Sequence, residues 1–257
     1  MKKKKSKERR NRFYVQYLLS MLNHLNFRRR EEYSTLIRWL EPKPGERILD
    51  VGCGDGYYNR RIAKSQAKVI GIDICKRRLP VAQRFYRSER TQFIYMDVEE
   101  MGLSEASFDK VISVCVLEHL GNDERAMQNI SRSLKKGGHF VFSADSLSNP
   151  GITGAERDRH QQRYAVNNYY TVENVREKLL GAGFDIEKNR YILTTPFALA
   201  LVRLSWKLDH FPGVLGVFKM LSYLGLFMVW KAASLFFSRL TPHAKSGLTL
   251  LVHAIKR

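Results

Sequence analysis

The stretch DVGCGDG at residues 50–56 constrains the fold more than any other part of the chain. It follows the short apolar run RILDV (47–51) and precedes residues with helical spacing, so it predicts a tight turn between a buried strand and a helix. Glycines in such a turn let the backbone bend sharply and approach a ligand, which then faces the helix amide groups. The G-x-G-x-G spacing places Tyr57 where a dinucleotide-binding turn requires its last glycine. A glycine turn alone could also be purely structural.

Short apolar runs and helical stretches alternate from residue 47 to the end of the chain. This alternation predicts an α/β fold in which helices cover a largely parallel sheet. Helices are expected from residue 56 to about 64, near 76–87, near 123–134 and at 171–184. Strands are expected at 47–51, 68–73, 91–97, 108–116, 139–145, 184–193 and 247–256.

Aspartates close the first three predicted strands. Asp50 precedes the glycine turn, and Asp73 and Asp97 end the next two strands. Ligands of open α/β sheets bind at these carboxyl ends. The Asp73 carboxylate could accept both hydroxyls of a ribose, and Asp97 could accept from an adenine amino group. The ordered set therefore indicates a nucleoside ligand.

From about Glu46 to Phe184 the chain resembles the class I S-adenosylmethionine (SAM) methyltransferases, in the small-molecule subgroup often called type 11. The motifs that carry this resemblance are ILDVGCGDG, VIGIDI, FIYMDVEEM, FDKVISVCVLEHL and LKKGGHFVFS. It implies an enzyme with a seven-stranded Rossmann-like, doubly wound sheet of order 3-2-1-4-5-7-6, whose last strand is antiparallel. It also implies SAM as cofactor. The implied contacts are Asp50, Gly52 and Gly54 for the methionine part, Asp73 for the ribose, Asp97 and Val98 for the adenine, and Cys53, Gly56, Ile74 and Val114 around them.

The end of the fourth strand bears on the methyl acceptor. Enzymes that methylate a nucleobase amino group carry an Asn/Asp-Pro-Pro-aromatic run there, whereas this chain has VCVLEHL. The sequence therefore disfavours a nucleic acid acceptor. VLEHL resembles the small-molecule and quinone methyltransferases, of which the quinone-pathway O-methyltransferases have an E-x-x-E-H pattern that can hold a divalent ion. Cys115 replaces its first glutamate, so no metal is predicted.

Several residues could remove a proton from the acceptor or hold it. His119 is a candidate general base because imidazole titrates near neutral pH, although it could merely line the cofactor pocket. The segment after the fifth strand, where the resemblance places an acceptor lid, contains the further catalytic candidates His160 and Tyr170. Alternatively, it is a surface loop whose tyrosines pack on the sheet. The predicted acceptor-binding residues are Glu118, Asp145, Tyr164 and Tyr169.

The positive charge of the chain lies in its two flanks. The formal net charge is +19, yet residues 31–195 hold 25 basic and 23 acidic residues. Residues 1–30 carry eleven Lys or Arg against one Glu, and residues 196–257 carry eight against one Asp. Such concentrations attract phosphate of lipid headgroups or nucleic acid, unless the flank is simply a solvated tail. Cys53, Cys75 and Cys115 have no CxxC spacing, which indicates a reducing compartment without disulfides.

About fifty residues, 194–246, separate the sixth and seventh predicted strands, far more than an ordinary loop. Both strands belong to one sheet, so the insert would have to cross a membrane an even number of times. Each charged residue at mid-bilayer costs about 3 kcal/mol. We therefore expect helices lying in the membrane interface, with Trp206 and Trp230 at headgroup level. The charges that interrupt two apolar spans are Arg203, Lys207, Asp209, Lys219 and Lys231.

The sequence predicts four parts: a basic segment with an amphipathic helix at 13–25 (1–30), a methyltransferase core (31–195), a hydrophobic helical insert (196–245) and a final core strand (246–257). The expected activity is methyl transfer from SAM to oxygen or carbon of a small lipophilic acceptor, at the cytoplasmic face of an anionic membrane. One alternative is a soluble methyltransferase of a polar metabolite or sugar, whose insert forms a homodimer face or a lid. The other is a nucleic-acid-binding methyltransferase or a non-catalytic SAM-binding module.

Overall fold

The computed structural model describes Tyr17 and residues 26–100, 102–208, 221–222, 224–226, 228–230 and 244–257. The predicted helix at 13–25 lies outside the described residues except for Tyr17, which is helical and stacks on Phe85 with ring centroids 4.3 Å apart. Much of the insert also lies outside them. The predicted division into four parts stays a prediction.

Seven strands form one sheet of order β3-β2-β1-β4-β5-β7-β6, which confirms the predicted topology. Neighbours from β3 to β5 pair in parallel, and β7 pairs antiparallel with both β5 and β6. Five of the seven strands begin where they were expected, but β5 begins earlier and β7 later, and β3, β4 and β6 end earlier. The strands are β1 Arg47–Val51, β2 Lys68–Asp73, β3 Thr91–Tyr95, β4 Phe108–Val114, β5 Leu134–Asp145, β6 Phe184–Ile192 and β7 Thr249–Lys256.

Helices cover both faces of this sheet. Sequence reasoning left out α1 and treated the α5 segment as a loop. The cap of α5 is a capping box, since the Thr153 hydroxyl accepts from the Glu156 amide while the Glu156 carboxylate accepts from the Thr153 amide. The helices are α1 Phe27–Leu40, α2 Tyr57–Ile62, α3 Leu79–Phe85, α4 Asp123–Ser133, α5 Gly154–Tyr164, α6 Val172–Gly181 and α7 Pro196–Leu208, with 3₁₀ turns at Ala63–Ser65 and Leu117–His119.

Successive side chains of the central strands enter opposite layers, because side chains alternate along a strand. Leu49 and Val51 pack in the layer that contains α4 and α6. Ile48 packs in the layer that contains α1 and α7. Burial on both faces explains why these strands are continuous apolar runs in the sequence.

The insert packs one face on the α1 layer. Leu226 and Trp230 are buried, and the Trp230 ring centroid lies 5.4 Å from that of Phe27 on α1. Trp230 therefore does not lie at headgroup level as expected, since its ring fills the space beside Phe27. Among the described residues, no helix is both long and apolar enough to cross a bilayer. Four apolar side chains of the insert, the outer face, are 43–59% exposed: Leu221, Leu224, Met228 and Val229.

Candidate active site

The glycine turn leaves β1 in a conformation that requires glycine. Gly52, Gly54 and Gly56 have φ of +74°, +58° and +82°. A Cβ atom on Gly52 would lie 2.2 Å from Cγ2 of Val116, in the segment that follows β4. The turn thus touches the residues that lead from β4 into the 3₁₀ turn Leu117–His119.

Asp73 ties the end of β2 to the glycine turn. Its Oδ2 accepts from the Gly54 amide at 2.7 Å and its Oδ1 accepts from the Cys75 amide at 2.6 Å. A carboxylate oxygen has two lone pairs, so each still has one for a ligand hydroxyl. This arrangement fits the vicinal hydroxyls of a ribose.

Asp50 lies near the end of β1, just before the glycine turn, and other carboxylates surround it. It is 4% exposed, and burial followed by the nearby Asp73 and Asp55 carboxylates raises its pKa. A cationic group bound among these carboxylates would relieve the repulsion, which fits the ammonium group of a SAM methionine moiety.

The remaining predicted cofactor residues lie along the same edge of the sheet. Asp97 follows β3 and accepts from the Glu99 amide at 2.9 Å, while the Val98 side chain is buried. Ile74 directly follows β2 and is 56% exposed, an apolar surface that an adenine ring could cover. Cys53 is buried against Gly71, and Val114 is the last residue of β4. The ten predicted positions therefore all lie at or beside the carboxyl ends of β1 to β4.

A second, more buried group of polar residues lies at the ends of β4 and β5. We call Glu32, Cys115, Glu118 and Asp145 the acid cluster. The ligand atoms of the last three lie within 4.8 Å of one another. Oε2 of Glu32 on α1 lies 3.4 Å from Sγ of Cys115 and 3.0 Å from Nη1 of Arg29.

Within the acid cluster, burial favours the neutral forms of Glu118 and Cys115. Burial raises the pKa of Glu118, and the adjacent Asp145 carboxylate raises it further. Burial likewise raises the pKa of the Cys115 thiol. A sulfur and two carboxylates at these distances can hold a divalent ion such as zinc, but only after the thiol loses its proton, which burial opposes.

Backbone strain accompanies the acid cluster. Cys115 has φ of +50°, a left-handed conformation that is unfavourable for a residue with a side chain, and its amide donates to the Ser143 carbonyl at 3.0 Å. Strain of this kind is often found at functional sites.

His160 joins the acid cluster from α5. Its Nε2 lies 3.5 Å from Asp145 Oδ2, and its Nδ1 lies 3.2 Å from the Tyr169 hydroxyl. Burial, with smaller effects of nearby Arg28, His119 and Arg163, lowers the pKa of His160 to about 3, so the imidazole is neutral at pH 7. The Tyr164 ring centroid lies 4.7 Å from that of His160. The structure therefore brings together Glu118, Asp145, His160, Tyr164 and Tyr169.

His119 and Tyr170 are placed differently. The 3₁₀ turn directs Glu118 inward and His119 outward, where His119 Nδ1 lies 3.2 Å from the Ala165 carbonyl. Tyr170 is fully buried, and its hydroxyl bonds Asp123 and the Leu117 carbonyl. These contacts support a structural role for Tyr170.

Arg29 and Glu32 were missed by sequence reasoning. Their signal is the spacing of Glu32, Leu36 and Leu40, which puts a carboxylate on the buried stripe of α1. An acidic residue in such a stripe needs a partner or a function.

Residues 49–142 match a family model described as a methyltransferase domain. This match, together with the relatives and the solved structure described below, supports a class I SAM-dependent methyltransferase. This confirms the resemblance inferred from the motifs, and SAM is the cofactor of this family. The match ends before Asp145 and does not include α1, α5 or the insert.

Two relatives carry the same curated name, ubiquinone biosynthesis O-methyltransferase. The protein of Alkalilimnicola ehrlichii is 39% identical over 102 residues, which is 38% of this chain and 41% of that protein. The protein of Rhizobium johnstonii is 29% identical over 185 residues, which is 65% of this chain and 71% of that protein. The chain spans about half the length of the first curated relatives that it matches.

A solved structure agrees with the fold of the methyltransferase domain. Phosphoethanolamine N-methyltransferase 2 of Haemonchus contortus, in complex with SAM, superposes with a TM-score of 0.65 at 21% identity. The likeness covers 88% of this chain and 52% of that one. At this identity it supports the fold alone.

Proposed function

We propose that this chain transfers the methyl group of SAM to an oxygen or carbon of a small acceptor bound at the acid cluster. The observation that carries this proposal is the contact between the two sites. Gly52 of the cofactor turn packs directly on Val116, which lies between Cys115 and Glu118 of the acid cluster. A methyl group held by the turn would therefore lie close to an acceptor held by the cluster.

For methyl transfer from SAM, the protein mainly has to align the acceptor atom with the methyl group and remove a proton from the acceptor. The methyl group of a sulfonium is already electrophilic, so an acceptor atom held in line with it can displace the thioether. His160 is the candidate to accept the proton, because its neutral imidazole lies between Asp145 and Tyr169. Its pKa of about 3 makes it a weak base, so the proton would have to move as the methyl group is transferred. Asp145 would then stabilise the imidazolium that forms.

An oxygen acceptor has the stronger support. The two curated relatives described above are named as O-methyltransferases. A hydroxyl oxygen also has to lose a proton during transfer. The pair formed by His160 and Asp145 could take up that proton.

The membrane setting of the proposal rests on the outer face of the insert. Leu224 and Met228 are 43% and 59% exposed, and the flanks of the chain carry most of its positive charge. An apolar face beside basic residues is typical of helices that bind anionic bilayers. A lipophilic acceptor could enter from such a surface.

Methyl transfer is tested by following a labelled methyl group from SAM into its product. The full chain is incubated with methyl-labelled SAM and a solvent extract of lipids and small molecules, and the two phases are counted. The proposal predicts label in the organic phase, which must be lost in His160→Gln. Label confined to polar products would support the soluble alternative, and no label in either phase would contradict methyl transfer.

Membrane binding is tested with phosphatidylglycerol vesicles. We expect the wild type to sediment with the vesicles and Leu224→Ser to bind at least threefold more weakly, because it removes apolar area from the outer face. Leu180→Ser is a matched control, since Leu180 on α6 is also 43% exposed. Equal losses in both variants, or no binding by the wild type, would contradict a membrane face on the insert.

A further inference from the structure

The acid cluster contains carboxylate oxygens without hydrogen-bond partners. Glu118 is 0% exposed, and neither of its carboxylate oxygens has a partner among the described residues. Glu32 is also 0% exposed, and its Oε1 has none in the same part of the chain. Three acceptor atoms are therefore buried and unsatisfied in one place.

Buried acceptor atoms without hydrogen-bond partners destabilise the folded protein unless a ligand donates hydrogen bonds to them. Most buried polar atoms in folded proteins have a partner, and a buried carboxylate without one is strongly disfavoured. Buried carboxylates that only support a fold usually contact a cation or several amides. Glu32 meets this expectation on one oxygen only, through Arg29.

Within the described residues, no donor reaches either oxygen of Glu118, and Arg29 and Cys115 reach only one oxygen of Glu32. His160 approaches Asp145 and not Glu118, and its imidazole is neutral. Glu118 and Asp145 therefore form a pair of carboxyl groups with no cation bonded to Glu118 in the described chain. The side chain of Arg29 is 41% exposed although its guanidinium touches buried Glu32, so the cluster is close to solvent on the α1 side.

We propose that Glu32 and Glu118 bind the polar end of the methyl acceptor, through an ammonium or hydroxyl group that donates hydrogen bonds to both carboxylates. The identification of this ligand as the methyl acceptor rests on the proposed function. In this arrangement α1, which lies outside the methyltransferase match, forms part of the acceptor site and helps to select the acceptor. A lipophilic acceptor would then need a polar, donor-bearing end.

The first test replaces each carboxylate with an amide of the same shape. Glu118→Gln and Glu32→Gln keep the shape of each side chain and remove an acceptor oxygen that has no partner in the described chain, so neither should lower Tm. SAM affinity should stay within about twofold, whereas KM for the acceptor that gains label in the solvent extract should rise at least tenfold. Glu31→Gln, one residue earlier on α1, is the control and should change none of these. A Tm that falls in both glutamine variants, with acceptor KM unchanged, would assign the two residues to folding and overturn the proposal.

The second test identifies the donor group. Benzylamine and benzyl alcohol are titrated into the SAM-loaded full chain by calorimetry. Binding of benzylamine that weakens at least tenfold in Glu118→Gln would assign the site to ammonium, and the same result for benzyl alcohol would assign it to hydroxyl. If neither probe binds, or if both bind Glu118→Gln as well as they bind the wild type, the proposal is wrong.

The two proposals fail in different ways. If a probe binds through Glu118 but no acceptor ever gains label from SAM, the subsite remains and methyl transfer is contradicted. If label is transferred and neither glutamine variant changes KM, methyl transfer remains and the subsite is contradicted.

Discussion

At the scale of single residues, Gly52 links the cofactor turn to the acceptor side. Gly45 offers a matched comparison, because its φ is +80° and a Cβ there would meet nothing within 4 Å. Either Gly→Ala change should cost about 1–2 kcal/mol of stability for the left-handed backbone. Gly52→Ala should cost about 1–3 kcal/mol more because of the overlap with Val116.

The measurement is urea denaturation together with SAM calorimetry. Gly52→Ala should weaken SAM binding at least tenfold, while Gly45→Ala should leave it within about twofold. Equal effects on both stability and SAM binding would show that the contact with Val116 has no role.

His160 makes a prediction about pH. Its folded pKa of about 3 lies below the ordinary value of 6.5, so between these values the unfolded chain binds a proton that the folded chain does not. Its contribution to stability is therefore present above pH 6.5 and is lost as pH falls toward 3. His160→Gln should flatten the fall of Tm between pH 6.5 and 4 relative to wild type. Parallel Tm curves for the two proteins would contradict a buried neutral imidazole.

The cofactor residues could be predicted and the acid cluster only in part. Asp50 and Asp73 follow strands that are visible in the sequence, and strand ends of a parallel sheet share one edge. Glu32 lies 83 residues from Cys115 in sequence, and only the packing of α1 brings them together. His119 was chosen for its chemistry, but the 3₁₀ turn directs its ring outward.

At the scale of elements, the insert is anchored through Trp230. This ring is buried beside Phe27, so Trp230→Ala should lower the free energy of unfolding by about 2–4 kcal/mol. Met228→Ala on the outer face, where the side chain is 59% exposed, should change it by less than about 0.5 kcal/mol. Urea denaturation measures both. A larger loss for Met228→Ala would mean that the outer face is covered in the folded chain.

Elements with strong apolar periodicity were placed from sequence, whereas the polar helix α5 was missed. The strands are apolar runs because both faces of the sheet are covered. The α5 segment is polar, so it resembled a loop, yet its capping box Thr153–Glu156 is a local helix signal that was available.

At the scale of the whole molecule, alternation in the sequence predicts helices around a parallel sheet but not the order of its strands. That order came from the family resemblance, because many connections satisfy the same alternation. The connection between β6 and β7 is far longer than an ordinary loop. Its length could be predicted, but the inward packing of Trp230 could not, since it depends on Phe27 of α1.

The charge of the flanks makes a prediction for the whole chain. Binding to phosphatidylglycerol vesicles should weaken at least tenfold between about 50 and about 500 mM salt, because the Debye length falls severalfold. Neutral phosphatidylcholine vesicles are the control and should bind weakly at both salt concentrations. Binding that is equal for both lipids and insensitive to salt would contradict a role for the basic flanks.

The most direct test of the whole account is calorimetric titration of SAM into the full chain and into Asp73→Ala. The account predicts one site in the wild type and at least tenfold weaker binding in Asp73→Ala, because the carboxylate at the end of β2 would no longer accept the ribose hydroxyls. Asp185→Ala, which removes an exposed carboxylate paired with Arg257, should bind like the wild type. A wild type that does not bind SAM, or an Asp73→Ala variant that binds it equally well, would contradict the account.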